Sequence, residues 1–298
     1  MAPAKINLHL RVLGRRPDGF HDLQSLFLAL SFGDTLHFKP SGPENSLKIT
    51  MKPLIPVENN IIFKAVSLFR AHTGFSRGLQ IRVKKRIPLG SGLGGGSSDA
   101  AAALLAMNAL AADAGIAGFP LDFANLSSMA ASLGSDVPFF LNKTGAAWVE
   151  GRGEIVHPLV IQNKLWVVLV NPGFQSITSE AFHLLDQLRT KQNAKYDNLD
   201  MDNSIQMLSG APESWSFTND FLPAFLSNSK YKEVYSGILD ELHAQGAKFA
   251  GLSGAGSTCF GVFSDRKKAM RTKENLLKQW NFVKLTFPLA HCGFSVLK

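Results

Sequence analysis

The chain has only two cysteines, Cys259 and Cys292, and neither stands in a CxxC or Cys/His cluster. That excludes a disulfide framework and a thiolate zinc site, and leaves two buried thiols as the expectation. Long apolar runs are missing as well. The longest, Ala100 to Met107, falls far short of the roughly 20 residues that cross a bilayer. No apolar segment with a small-residue cleavage site precedes the alternating stretch Ala4 to Val12, so neither a secretory signal nor a membrane partner is expected, and the cytoplasm is the expected location. Repeats and low-complexity linkers are lacking too. Acidic charge is scarce, 23 Asp and Glu against 31 Lys and Arg, and the net charge of +8 favours anionic partners. The basic residues are scattered, with Lys84, Lys85 and Arg86 the densest group, so charge alone does not choose between nucleic acid and phosphorylated small molecules.

What is present is a globular composition, 45% hydrophobic and 18% charged over 298 residues, enough for one large or two medium domains. Ile6, Leu8, Leu10 and Val12 alternate with Lys5, Asn7, His9 and Arg11, the period of a half-buried strand whose polar face reads as solvent-exposed. Turn residues Gly14 to Gly19 then predict a hairpin. Further along, helices are predicted over 61–73, 121–133, 231–245 and 265–280, and strands over 79–83, 145–155, 165–170 and 282–287. The polar stretch Thr190 to Thr218 reads as a surface excursion. Strands and helices mix without strict βαβ alternation, which points to an α+β fold. A boundary near 155–165 divides the chain into 1–158 and 159–298.

Between a strand and an Ala/Leu-rich helix lies PLGSGLGGGSSDAA, Pro88 to Ala101, with five glycines between Gly90 and Gly96. Free amides and a helix N-terminus converging where side chains are absent make an anion site, with phosphate the natural occupant. A plain turn would not need so many glycines, each of which costs backbone entropy. No Lys follows the glycines, so a Walker A loop is excluded. Gly90, Gly92 and Gly95 satisfy GxGxxG, but Asp113 lies at the end of a helix instead of a second strand, so the dinucleotide reading lacks its context.

The segment resembles the PxxxGLGSSAA phosphate loop of the GHMP small-molecule kinases. Its expanded form GLGGGSSDAA is similar to that of a branch whose acceptor is a methylerythritol carrying a cytidine diphosphate. PAKINLHL (Pro3–Leu10), PDGFH (17–21), GSDVPFF (134–140) and GLSGAGSTCFGVF (Gly251–Phe263) resemble further segments of that branch, in order. The resemblance implies a two-domain GHMP kinase fold, with an N-terminal ATP-binding and catalytic part and a C-terminal substrate part. It also implies ATP and Mg²⁺ as cofactors, a small-molecule substrate in isoprenoid precursor synthesis, no nucleic acid partner, and a monomer or weak homodimer.

By the same resemblance Asp136 is the general base and Lys5 the cation beside it. Pro88, Leu89, Gly90, Ser91, Gly92, Leu93, Gly94, Gly95, Gly96, Ser97 and Ser98 wrap the triphosphate, with Ser98 a hydroxyl partner of the metal; Asn60 and Lys85 adjoin the adenosine. Asn7 and His21 hold the two ends of the acceptor, Phe20 and Phe182 stack on its base, and Thr178 contacts phosphate. Phe20 stands where the family more often has Tyr, and Asp99 where it often has Asn, so Asp99 is assigned a structural role. Taken without the family, Asp136 reads as a turn or N-cap residue, Lys85 is as readily a solvated charge and Phe182 as readily core, while the third motif reads as closing the substrate side through backbone groups near Gly254 to Ser257, with a plain loop as the alternative. The other readings are a different alcohol or sugar kinase, a basic nucleic-acid-binding protein and a nicotinamide oxidoreductase.

Overall fold

The structure, a computed structural model, describes residues 1–161, 163–192 and 200–292. The opening alternation forms β1 (Ala2–Arg15), which returns as the antiparallel β2 (His21–Pro40), the expected hairpin. At twenty residues β2 is the spine of the first sheet. Its N-terminal half lies between β1 and β5 (Ala146–Gly151), and its end pairs with β4 (Leu79–Lys84). β3 (Leu47–Lys52) runs parallel to β4 at one edge, and β6 (Ile155–Leu159) lies beyond β5 at the other. One face carries α1 (Ile61–Thr73), α2 (Gly95–Asp113), α3 (Phe123–Leu133) and α4 (Val137–Leu141). Asn60 starts α1 by accepting from the Ile62 amide, and Gly74 ends it at φ 70°.

The second sheet, in the order β10 (Phe282–Thr286), β7 (Trp166–Asn171), β9 (Cys259–Phe263), β8 (Phe249–Leu252), is antiparallel throughout. Its helices are α5 (Thr178–Gln192), α6 (Met201–Ser209), α7 (Phe221–Leu226), α8 (Ser229–Ala244) and α9 (Arg266–Leu276). Val168 and Val170 point to these helices, while Val167 and Leu169 point the other way, as the two-residue period requires. There they meet Ile6, Leu8, Leu26, Leu28 and Trp148 of the first sheet, so the two sheets share a buried core between them. The chain also crosses back: Phe287 accepts from the Ser31 amide, and Leu289 donates to Ala29. Cys259 and Cys292 are both free and buried.

Two expectations need correcting. The polar face of β1 does not meet solvent: Lys5, Asn7 and His9 are 4%, 1% and 2% exposed, because α2 and β2 close over that side of the strand. The stretch from 190 to 218 is not a surface excursion. Its first residues end α5, and residues 193–199 lie outside the described residues. Asp200 caps α6, and Leu208, Trp215 and Phe217 are buried in the core between the sheets. The strand β3 and the short helices α4 and α7 were not foreseen. Among the described residues no helix is long and apolar enough to cross a membrane.

Candidate active site

The glycine-rich segment links β4 to α2 with its carbonyls turned into the protein. Gly90 O accepts from the Ser176 amide (2.8 Å), Ser91 O from Thr258 N (3.1 Å), and Gly92 O from Ser253 Oγ (2.9 Å). Leu93 O accepts from Lys5 N (2.9 Å), and Gly94 O from Ser98 N (2.9 Å). With five successive carbonyls anchored, the amides of Gly92 through Ser97 are left unspent on backbone partners. They stand at the N-terminus of a nineteen-residue helix, where the dipole adds positive potential. Gly92 and Gly94 lie at φ 74° and 68°, and each permits a close approach. A Cβ on Gly92 would sit 2.0 Å from Ser253 O, and one on Gly94 2.9 Å from Cγ of Lys5. The third motif is therefore a bracket on the back of the glycine loop, with Ser253 and Thr258 as its contacts, and not a plain connection.

The loop is the common wall of two cavities. One, about 370 Å³, is lined by Asn60, Lys85 and every residue from Pro88 to Ser97, together with apolar Met51, Ile55, Ile61 and Ile62. The other, about 670 Å³, is lined by Lys5, Asn7, Phe20, His21, Asp136, Thr178 and Phe182, with Gly90, Gly92, Gly94 and Gly254 to Gly256 closing it. All the acceptor-side candidates thus come together, as do all the nucleotide-side candidates except Ser98. Ser98 is wholly buried, its hydroxyl has no partner, and Ser97 faces the cavity in its place.

Asp136 occupies the N-cap position of α4, but its side chain caps nothing. Its Oδ2 lies 3.2 Å from Nζ of Lys5, with the carboxylate 29% and the ammonium 4% exposed. Lys5 also donates to Asn7 Oδ1 (2.6 Å) and stands 4.4 Å over the ring of Phe27. A carboxylate open to the larger cavity with a buried lysine head beside it is an arrangement suited to accepting a proton from a bound hydroxyl.

Lys85 is not a solvated charge. Its side chain is 5% exposed and bonded to the buried carboxylates of Asp34 and Asp99, the latter at 2.8 Å. Burial opposes its charge, but Asp99 and Asp34 outweigh that, holding its pKa above the ordinary lysine value. Burial, with Asp34 adding to it and Lys85 only partly offsetting it, pushes Asp99 up to about 7. Asp34 Oδ1 also accepts from the amides of Arg86 and Ile87, so this cluster pins the start of the glycine loop to the first turn of α2. Asn60 lines the smaller cavity, though its Oδ1 is committed to capping α1.

Phe182 is neither wholly core nor wholly site. One edge packs against Phe221 (5.0 Å, 89°), and its face stacks on His21 (4.4 Å, 14°) inside the larger cavity. Phe20 is 52% exposed, with Arg152 over its ring at 5.0 Å. Sequence reasoning missed Arg15, Ser25 and Arg152, which line the same cavity, and Asp34. An acid within the apolar run of β2 was the one available signal for Asp34.

Comparison with known proteins bears on the family and the fold. The profile for the GHMP kinases N terminal domain matches residues 60–143, and that for the GHMP kinases C terminal domain matches 213–281. The chain is 39% identical over 282 residues to the 4-diphosphocytidyl-2-C-methyl-D-erythritol kinase of Thermodesulfovibrio yellowstonii, covering 93% of each. It is 36% identical over 283 residues to that of Burkholderia lata, covering 94% of this chain and 90% of the other. A crystal structure of 4-(cytidine 5'-diphospho)-2C-methyl-D-erythritol kinase superposes with a TM-score of 0.79 at 30% identity, over 96% of this chain and 98% of that one. Homoserine kinase from Cytophaga hutchinsonii, at 16% identity and a TM-score of 0.63 over 97% and 93% of the two chains, shares the fold alone. With identity of this degree running through both sheets and the glycine loop between them, the chain belongs to the GHMP kinases, in their 4-diphosphocytidyl-2-C-methyl-D-erythritol kinase branch.

Proposed function

We propose that the protein transfers the γ-phosphoryl group of ATP to the 2-hydroxyl of 4-diphosphocytidyl-2-C-methyl-D-erythritol, giving the 2-phosphate and ADP, in non-mevalonate isoprenoid precursor synthesis. The observation that carries this reading is the glycine loop as a wall between two cavities, with Lys5 and Asp136 on one side of it. Phosphoryl transfer asks for positioning and charge stabilisation more than covalent chemistry, and a wall of free amides between donor and acceptor supplies both.

ATP belongs in the smaller cavity, its base against Met51, Ile55 and Ile62 and its phosphates over the amides of Gly92 to Ser97. The acceptor belongs in the larger one. Its cytosine lies by Phe20, His21 and Phe182, its diphosphate near Thr178 and the Gly254–Gly256 backbone, and its 2-hydroxyl at Asp136. Asp136 takes the hydroxyl proton as the oxygen attacks. Lys5, 3.2 Å from that carboxylate, lends its charge to the transferring group. Mg²⁺ would be held over this wall by phosphate oxygens, and the protein donor it would draw on is the unpartnered hydroxyl of Ser98 at the helix start, buried beside Ser97, which lines the cavity. Bound there, it would neutralise phosphate charge. Residues 1–158 supply the nucleotide side and the Lys5–Asp136 pair, and the acceptor cavity is shared, with Thr178, Phe182 and Gly254 to Gly256 coming from 159–298.

The test is a product assay with Mg-ATP and, separately, the cytidylyl substrate, homoserine, mevalonate and galactose, read by mass. Phosphorylation of the cytidylyl compound alone is expected. Transfer to another acceptor would sink the cytosine pocket, and transfer to none would return a binding role.

A further inference from the structure

We infer that Ser25 is a positioning residue for the phosphoryl transfer, because it fixes the orientation of the Asn7 amide and through it the place of the Lys5 ammonium. The inference rests on the reading of Lys5 and Asp136 given above. Ser25 lies on β2 and is 2% exposed. Its hydroxyl has one proton, donated to the carbonyl of His9 at 2.5 Å, where the register of β1 on β2 shifts between Asn7 and His9. Towards Asn7 the oxygen can therefore only accept, and it accepts from Nδ2 at 2.9 Å. The amide has two ends. With its nitrogen held by Ser25, its oxygen faces Nζ of Lys5, 2.6 Å away.

Turned over, the same amide would present N–H groups to an ammonium in a site that water barely reaches, leaving two donors face to face. Lys5 would then lose one of the two oxygens that hold it, the other being Asp136 Oδ2. Asn7 alone does not choose between the two orientations, since its oxygen and nitrogen have the same shape. Ser25 makes the choice without reaching the reacting atoms.

Two variants of nearly equal shape isolate the hydroxyl: Ser25→Thr keeps it and Ser25→Val removes it, both β-branched and suited to a strand. Ser25→Thr is expected to hold kcat within threefold of wild type. Ser25→Val is expected to lower kcat about tenfold or more while the KM for ATP stays within twofold. A crystal structure of Ser25→Val is expected to show Nζ of Lys5 moved away from Asp136, a readout that does not depend on turnover. Equal losses in the two variants, or an undisturbed Lys5 in Ser25→Val, would overturn the role. A wild-type enzyme that transfers nothing would instead count against the kinase reading, while the Lys5 displacement would still decide the inference. Should Ser25→Val not fold, Ser25→Ala against Ser25→Thr makes the same comparison.

Discussion

Nζ of Lys5, near the start of the chain, lies 3.2 Å from Oδ2 of Asp136, and the stem of the same lysine lies where Gly94 has no side chain. One buried lysine thus touches both the proposed proton acceptor and the glycine loop. Asp136→Asn keeps the shape and removes the base, so kcat is expected to fall about 10²- to 10⁴-fold with the KM for ATP changed less than threefold. Steady-state kinetics with each substrate varied in turn measure this, and undiminished turnover would remove Asp136 from the mechanism.

Gly92→Ala forces a Cβ to 2.0 Å from Ser253 O at a left-handed φ, whereas a Cβ on Gly96 meets nothing nearer than Ile61 Cγ2 at 3.6 Å. Strain at such a position costs about 1–3 kcal/mol, before the broken contact with the third motif is counted. Gly92→Ala is expected to lower the Tm and raise the KM for ATP at least tenfold, with Gly96→Ala near wild type on both. The two changes tolerated alike would refute the bracket between motif and loop.

Phe182→Ala removes the ring that stacks on His21 and lines the larger cavity, where the acceptor is proposed to sit. Base stacking on an aromatic is worth about 1–3 kcal/mol, so the KM for the cytidylyl substrate is expected to rise roughly 10- to 100-fold with ATP unaffected. Titration calorimetry with CDP gives an independent reading. Equal CDP affinity in the two proteins would place the base elsewhere.

Asp99 is a second carboxylate against one ammonium, buried, with Oδ1 unpartnered and the smaller cavity, the proposed nucleotide site, beside it. Asp99→Asn keeps an acceptor for Lys85 and takes away negative charge near the triphosphate. A severalfold lower KM for ATP and an unchanged or higher Tm at pH 8 are expected. A weaker affinity for ATP would mean that the carboxylate is needed there.

His9 stacks on Trp148 and accepts from the Thr218 amide, and burial, followed by Arg11, holds its pKa down to about 4. Unfolded, the imidazole binds its proton near 6.5; folded, it does so only near 4, so between these values the unfolded chain holds more protons. Its stabilising effect is complete above pH 6.5 and is lost as the pH falls towards 4, about 3 kcal/mol across the window. Urea midpoints are expected to fall more steeply with acid in wild type than in His9→Gln. Parallel curves would contradict this.

Much of the fold was written locally. Asn60 and Gly74 delimit α1, Asp122 and Gly134 delimit α3, and the alternation from Ala4 to Val12 is β1. These signals act within a few residues, so they survive without tertiary context. The stretch after Gln192 misled because polar residues outnumber the few that matter there: Leu208, Trp215 and Phe217 enter a core whose other half comes from β1, β2 and β7. Lys85 misled for the same reason, since its partners Asp34 and Asp99 belong to other elements.

By itself the sequence determined the fold class, the family, the glycine loop before α2 and the identities of the candidate groups on both of its sides, because glycine spacing, caps and periodicity are properties of neighbouring residues. Only the tertiary structure decided that the polar face of β1 is buried, that the loop divides two cavities, that Lys85 is buried between two carboxylates, and that Ser25 accepts from the Asn7 amide. Each of these depends on which atoms from distant positions meet and which water they exclude, and desolvation and hydrogen-bond direction are set by that meeting.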